Sequence, residues 1–278
     1  MKPFKLVVDS CCELLPILRD ELDAESVPLS LFVDEHEYID DDNLDINEFL
    51  TAMNTSSNPP KSACPSPASF AEKCKDAVNT FIVTLSSKLS GSHNSACIAK
   101  DLVNDNNEGN VVVIDSKSAS AGELLISLKL MEFVKNNLPI DDIVANITAF
   151  IRDMQTLFVL DNLSTLIKTG RVNKIVGNMA NVLKIKPIMG SDGDGNIILI
   201  KKTIGSKNAL IKMVETIGEK CVDTAEKILV ITHCNNSIAA NMVRDLSDKM
   251  YSFKNIHVVK TGGTSSMYAN DGGVVIAF

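Results

Sequence analysis

The chain has 278 residues, 45% of them hydrophobic, which is enough to bury a large core and long enough that two domains are the better expectation. A formal net charge of -8 argues against general attraction to nucleic acid. An aromatic content of 5% with no Trp leaves little for base-stacking platforms or carbohydrate shelves.

Taken in chain order, the first half alternates apolar runs with helical periods. Phe4 to Val8 reads as a strand, Asp9-Ser10 as cap chemistry, Glu13 to Leu22 as a helix and Val27 to Val33 as an extended segment. Asp45 to Met53 is a capped helix, followed by the Pro- and Ser-rich loop "NTSSNPPKSACPSP". Ser66-Pro67 supplies an N-cap and first-position pair for a helix over Ala68 to Val78. Phe81 to Leu85 is a strand, a helix starts at Ser92 or His93 and runs toward Val103, Val111 to Ile114 is a strand, and Ala121 to Val134 is a helix.

Such alternation predicts an α/β fold with a parallel sheet flanked by helices, whose strand ends gather ligands. The loops at Asp9-Ser10, at Ser86 to Ser92 and at Asp115-Ser116 each follow a strand and precede a helix, so they should converge on one sheet edge. From about Leu157 the pattern changes. Leu157 to Leu160 reads extended, Leu163 to Lys168 helical, and a further helical run reaches Leu183. Ile185 to Met189 and Ile197 to Lys201 flank "GSDGDGN", a hairpin signal. A helix over Lys207 to Ile217, a strand over Ile228 to Thr232, a helix over Asn236 to Met250 and strands over Ile256 to Val259 and Val274 to Phe278 follow. This predicts a second α/β domain with a mixed sheet and helices, giving an N-terminal domain over residues 1–154 and a C-terminal domain over 155–278.

Charge is uneven along this plan. Between Asp9 and Glu48 fourteen acidic residues face a single Arg19, whereas from Leu160 to Lys212 nine basic residues face Asp161, Asp192 and Asp194. The acidic stretch reads as a solvated surface; the basic one suits an anionic ligand, a phosphate-bearing partner or a membrane surface. The seven Cys form no CxxC pair, Cys11 and Cys12 are adjacent, and neither a charged-then-apolar leader nor an apolar run of about 18 residues is present, which together predict reduced thiols in the cytoplasm. His36, His93, His233 and His257 lack ligand spacing, so no metal site is expected.

The stretch "SSKLSGSHNSA" at 86–96 places hydroxyls, free N–H groups and the positive end of a helix dipole where a strand ends, which suits a carboxylate or phosphate. The competing reading is a serine-dependent hydrolase or acyltransferase. No GxSxG elbow supports it, and although His93 is close in sequence, no acid partner is designated. GxxxxGK[ST] is absent, so no nucleotide cofactor is implied.

Six short motifs appear in order: "VVDSCCELLP", "SACPSPASF", "LSSKLSGSHNSA", "VIDSKSASAG", "NLSTLIKTGRV" and "LKIKPIM". Together they resemble the DegV family of bacterial fatty-acid-binding proteins over nearly the whole chain. The resemblance implies a two-domain α/β carrier without catalytic activity of its own. It would bury one long-chain fatty acid between its domains, with the carboxylate at the N-terminal loops and the tail in the second domain. It also implies presentation of the acid to an ATP-dependent fatty-acid kinase for phospholipid synthesis, and no cofactor beyond the bound acid.

Carried onto this chain, Ser62 stands where the family has the Thr of Thr-Ser-Gln-Pro, with Cys64 at the Gln. Ser90 matches the carboxylate-binding Ser and is followed by Gly91. Arg171 matches the Arg of Gly-Gly-Arg-Ile, with Thr169 at its first glycine. Tyr268 falls at the His of His-Thr-Gly-Pro-Gly, and Ile204 at an Arg of Lys-Val-Arg. The expected carboxylate-binding set is therefore Ser62, Ser90, Gly91, Arg171 and Tyr268, supported by the loop residues Asp9, Ser10, Ser92 and Ser116. The lipid-facing wall is expected from Phe158 to Leu160, Ile175 to Leu183 and Ile185 to Met189.

Overall fold

A computed structural model describes residues 2–75, 77–105, 109–172 and 185–278. Its first unit is built on a parallel sheet of four strands: β1 (Lys2–Asp9), β2 (Glu25–Val27), β6 (Ala77–Thr84) and β7 (Asn110–Asp115), in the order β2-β1-β6-β7. The central strands are buried on both faces, which is why they read as unbroken apolar runs and not as alternating ones. Leu6, Val8, Phe81 and Val83 face α1 (Pro16–Leu22), α5 (Ala121–Lys135) and α6 (Ile140–Asp153). Val7 and Ile82 point the other way, onto α3 (Pro67–Lys73) and α4 (Ser92–Asp105).

The second unit is a six-stranded mixed sheet in the order β10-β9-β8-β13-β11-β12. Its strands are β8 (Thr156–Val159), β9 (Ile185–Ser191), β10 (Ile197–Ile204), β11 (Ile228–His233), β12 (Asn255–Lys260) and β13 (Val274–Ala277). One face packs against α8 (Ser206–Lys220) and α9 (Ser237–Met250) through Leu157, Val159, Ile231 and Ile276. The opposite face turns toward the first unit. There α5 lies against β6 on one side and against β11 and β13 on the other, so residues around its whole circumference, from Ala121 to Leu128, are buried. A helix apolar on every side is stable only when it is enclosed, and the two sheets enclose this one.

A third, antiparallel sheet was not expected. β3 (Ser30–Val33) pairs with β4 (His36–Ile39) across a tight turn at Asp34-Glu35 and with β5 (Lys61–Ala63) on its other edge. The stretch read as one extended segment over Val27 to Val33 is therefore split at Pro28-Leu29 between two sheets. Together with α2 (Ile46–Thr55), this small sheet packs on α7 (Ser164–Lys168), on α10 (Gly263–Ala269) and on Phe158 and Leu160 of the second unit.

Local chemistry accounts for most element boundaries. Asp45 caps α2, its carboxylate accepting from Asn47 N at 2.9 Å and Glu48 N at 3.1 Å, and Ser66 Oγ accepts from Ser69 N at 3.1 Å at the start of α3. The helix expected to run to Val78 stops at Lys73, because β6 begins at Ala77 and draws Ala77 and Val78 into pairing beside β1. The helix expected from Glu13 starts at Pro16, whose fixed φ suits the first turn. The "GSDGDGN" hairpin forms as expected between β9 and β10, with Gly195 at a φ of +96°. The helical run expected up to Leu183 lies outside the described residues.

Because α5 joins both sheets, truncating its core should loosen both units at once. Leu124→Ala is expected to cost about 2–5 kcal/mol. Hydrogen exchange read by mass spectrometry should then show β6 and β11 opening in the same cooperative step.

Candidate functional site

The loops after β1, β6 and β7 do converge on the carboxyl edge of the parallel sheet. Asp9, fully buried, accepts from Leu85 N at 2.9 Å and from Cys11 N at 3.1 Å, which ties the first loop to the second. Ser86 N donates to Ser118 O at 2.7 Å and Ser116 N to Thr84 O at 3.1 Å, which ties the second to the third. The β9–β10 hairpin of the second unit reaches into the same place, where Ser86 Oγ donates to Gly195 O at 2.9 Å. A side chain at Gly195 would meet that hydroxyl, its Cβ only 2.2 Å away, so the position demands glycine for contact as well as for φ.

Between these loops and the second sheet lies a cavity enclosing about 880 Å³ of atom-free space, its mouth included. Its wall is mainly apolar, with Leu29, Leu85 and Leu89 from the first unit and Phe158, Leu166 and Val275 from the second. Four of the five expected carboxylate-binding residues, Ser62, Ser90, Arg171 and Tyr268, line it. Ser62 lies on β5, an edge strand, and not in a loop, directly opposite Leu31 of β3. Tyr268 comes from α10, a helix not anticipated from the sequence, and its Oη is 3.0 Å from Ser62 Oγ. The Arg171 guanidinium carbon sits 5.7 Å from the centre of the Tyr268 ring, within cation–π range, while Nε donates to Leu89 O at 3.2 Å and Nη1 to Thr169 O at 2.7 Å. Ser90 Oγ accepts from Ser92 N at 3.2 Å and lies 3.2 Å from Ser92 Oγ.

Gly91 is not on the wall. A Cβ there would lie 2.9 Å from Cys64 Sγ, so its role is close approach. The supporting residues Asp9, Ser10, Ser92 and Ser116 are buried behind the wall and hold the loops: Ser10 Oγ donates to Asp40 at 2.8 Å, and Ser116 Oγ donates to Ser118 O at 3.1 Å. Of the expected lipid-facing segments, Phe158 and Leu160 line the cavity. Ile188 instead packs beneath α8 and α9, so Gly190, Ser191, Asn196 and Ile197 supply the wall on that side. Ile175 to Leu183 lies outside the described residues. His93 turns toward Thr84 Oγ1 at 3.5 Å and Cys97 Sγ at 3.6 Å, and no hydrogen bond joins it to Ser90 or Ser92 among the described residues.

The acidic stretch is not wholly a solvated face. Asp40 is buried, and its carboxylate accepts from Gly263 N and Thr264 N, each at 2.7 Å, closing the amino end of α10. Glu13 is also buried and accepts from Ser120 Oγ at 2.9 Å, while Ser120 Oγ lies 2.7 Å from Thr232 Oγ1 of the second unit. Burial pushes Asp9 up to about 6 and Glu13 up to about 7, and burial beside Asp9 lifts Glu123 well above the ordinary glutamate range. No sequence pattern distinguishes these groups from their exposed neighbours. Among the described residues no cluster of His, Cys, Asp and Glu could hold a metal ion, no helix is long and apolar enough to cross a membrane, and all seven cysteines are free thiols.

Two α/β units thus enclose an apolar cavity with a hydroxyl-lined polar end, the architecture by which the chain can be compared with known proteins. The model of the DegV family matches residues 3–278, and a DegV domain-containing protein of Streptococcus pyogenes serotype M1 is 34% identical over 99% of both chains. The chain belongs to the DegV family. The structure of a DegV family protein from Ruminococcus gnavus, described with vaccenic acid, superposes with a TM-score of 0.93 at 36% identity, covering 100% of this chain and 99% of that one. The Streptococcus pneumoniae Fatty Acid Kinase (Fak) B3 protein, loaded with linoleic acid, superposes at 0.92 with 30% identity and 99% coverage of each. A Eubacterium eligens family member loaded with heptadecanoic acid does so at 0.92 with 29% identity, covering 99% of this chain and 98% of that one.

The raised acids give stability a definite pH dependence. In the folded state Asp9 and Glu13 hold their protons more tightly than the unfolded chain does, rising from 3.8 to about 6 and from 4.5 to about 7. Their contribution is therefore complete below about pH 4 and is lost as pH climbs through 6 and 7. Through these two groups the melting temperature should fall between about pH 4 and 7 and level off above it, and Glu13→Gln, which cannot ionise, should flatten that fall in a series of thermal melts.

Proposed function

We propose that this chain binds one long-chain fatty acid in the cavity between its units and acts as a carrier without catalytic activity or cofactor of its own. The carboxylate lies at Ser62, Ser90 and Tyr268, with Arg171 supplying positive charge beside them. The observation that carries this reading is the pairing of Ser62 Oγ with Tyr268 Oη, 3.0 Å apart at the polar end of a greasy cavity. Each hydroxyl can turn its proton toward an incoming anion. We place the division between domains at 154/155, where α6 has ended at Asp153 and Gln155 N donates to Phe278 O at 2.9 Å.

The energetics favour a lipid acid over a shorter one. At about 0.8 kcal/mol per methylene, a tail of some fourteen methylenes gains roughly 11 kcal/mol on leaving water. Inside a cell that acid comes from a bilayer, where the tail is already dry, so the head group and cavity shape decide the distribution. A charge-assisted bond from each hydroxyl contributes about 1.5–3 kcal/mol.

Presentation of the bound acid to a fatty-acid kinase is the reading that the Fak B3 relative supports. The hand-over surface differs at Ile204, 64% exposed where the resemblance places an arginine. In the basic stretch, Lys201 is paired with Glu219, so among the described residues the charge offered to an anionic membrane comes from exposed Lys168, Lys202 and Lys207. The free thiols fit a reducing cytoplasm.

Organic extraction of the purified protein followed by mass spectrometry should release one long-chain acid per chain; an empty protein that also fails to take up added acid would refute the carrier. Tyr268→Phe and Ser62→Ala should each weaken fatty-acid binding roughly 10- to 100-fold, the equivalent of one lost charge-assisted bond. Lys202→Glu should slow transfer out of anionic vesicles, measured by stopped-flow fluorescence, without altering affinity in vesicle-free solution.

A further inference from the structure

One polar feature of the cavity is not accounted for by a carboxylate. Ser118, in the loop after β7, and Thr156, at the start of β8, both line the wall and hold their hydroxyl oxygens 2.7 Å apart. They are 5% and 9% exposed. Thr156 shares the cavity-facing side of its strand with Phe158 and Leu160, as a period of two requires, so its hydroxyl is set into the apolar wall. Glycine makes room for the pair. A Cβ at Gly122 would lie 2.0 Å from Ser118 Oγ, and one at Gly190 would lie 2.8 Å from the Thr156 carbonyl oxygen.

Two hydroxyls carry two O–H donors, and the bond between them uses one. Neither oxygen has a second hydrogen-bond partner among the described residues. Whichever of the two donates, one O–H is left over at the edge of an apolar space. An unsubstituted alkyl chain cannot accept it, and covering an unmade donor with hydrocarbon opposes binding. A hydroxyl on the chain would accept that proton and could donate its own to a remaining lone pair.

We propose that the Ser118–Thr156 pair is a subsite for an oxygen carried on the acyl chain, so that the cavity selects a hydroxylated long-chain acid over its unsubstituted counterpart. This rests on the fatty-acid reading above and names the ligand class within it. The selecting contact joins residues of both units, so it forms only when the cavity is assembled.

The test is a competition series on delipidated protein: stearic acid against monohydroxystearic acids differing only in hydroxyl position, each displacing a fluorescent fatty acid. One position, or two neighbouring ones, should bind about five- to tenfold tighter than stearic acid, the worth of one neutral hydrogen bond. The double substitution Ser118→Ala/Thr156→Val, which removes both O–H donors and keeps the strand residue's shape, should abolish that preference and tighten stearic acid itself, whereas either substitution alone still leaves one O–H over. Stearic acid binding with no hydroxylated isomer preferred, or a preference that survives both substitutions, would overturn the subsite while leaving the carrier intact. Failure of every acid to bind would overturn both.

Discussion

The geometry of the polar end depends on a single buried carboxylate. Asp40 comes from the end of the small antiparallel sheet, accepts two backbone N–H groups of α10 and a proton from Ser10, and so fixes a short helix of the second unit against the first. That helix is packed through Met267 and Ala269 but is weak on its own account: "GTSSMYA" is low in helix propensity, and its first turn has no capping side chain of its own. The cap arrives instead from more than two hundred residues away. With it in place, Tyr268 is aimed at Ser62, and Ser265 Oγ reaches Cys11 O at 3.2 Å. Burial raises the Asp40 carboxyl despite these donors, which shows how much solvation the contact forgoes.

The same logic extends to the interface between the units. Its centre is hydrocarbon, supplied by α5 packed between two sheets, and its rim is a set of hydroxyl and carboxyl contacts, Ser120 to Glu13 and Thr232 and Ser86 to Gly195. An apolar centre supplies cohesion without direction, whereas the polar rim sets register. A cavity for a flexible chain needs both, because a shift of the second sheet along the first would separate Ser62 from Tyr268 while leaving the area of buried hydrocarbon nearly the same.

The parallel sheet was legible because β1, β6 and β7 are apolar runs bounded by cap residues, and the convergence of their loops follows from topology alone. The hairpin was legible from its glycines. What escaped was non-local. β4 and β5 are short, polar and at sheet edges, so their pairing with β3 leaves no alternation to detect. Nothing in "DDD" at 40–42 reveals that Asp40 is buried while Asp41 and Asp42 are exposed. Ser62, Ser90, Arg171 and Tyr268 were found through resemblance to a family, and the structure brings them to one cavity although two of them, Ser62 and Tyr268, lie on segments whose local form was read differently or not at all. The Ser118–Thr156 pair carried no signal, because each residue by itself is an ordinary loop or strand hydroxyl.

The order of strands in the mixed sheet has a consequence for how the chain is made. β13 is the last strand in chain order, yet it lies in the middle of the sheet, antiparallel to both β8 and β11. While the polypeptide is still emerging from the ribosome, those two strands have no neighbour between them, and each presents an unpaired edge to whatever else is nearby. The six-stranded sheet therefore closes as a late event in biosynthesis, leaving a vulnerable window in which chaperone protection matters most.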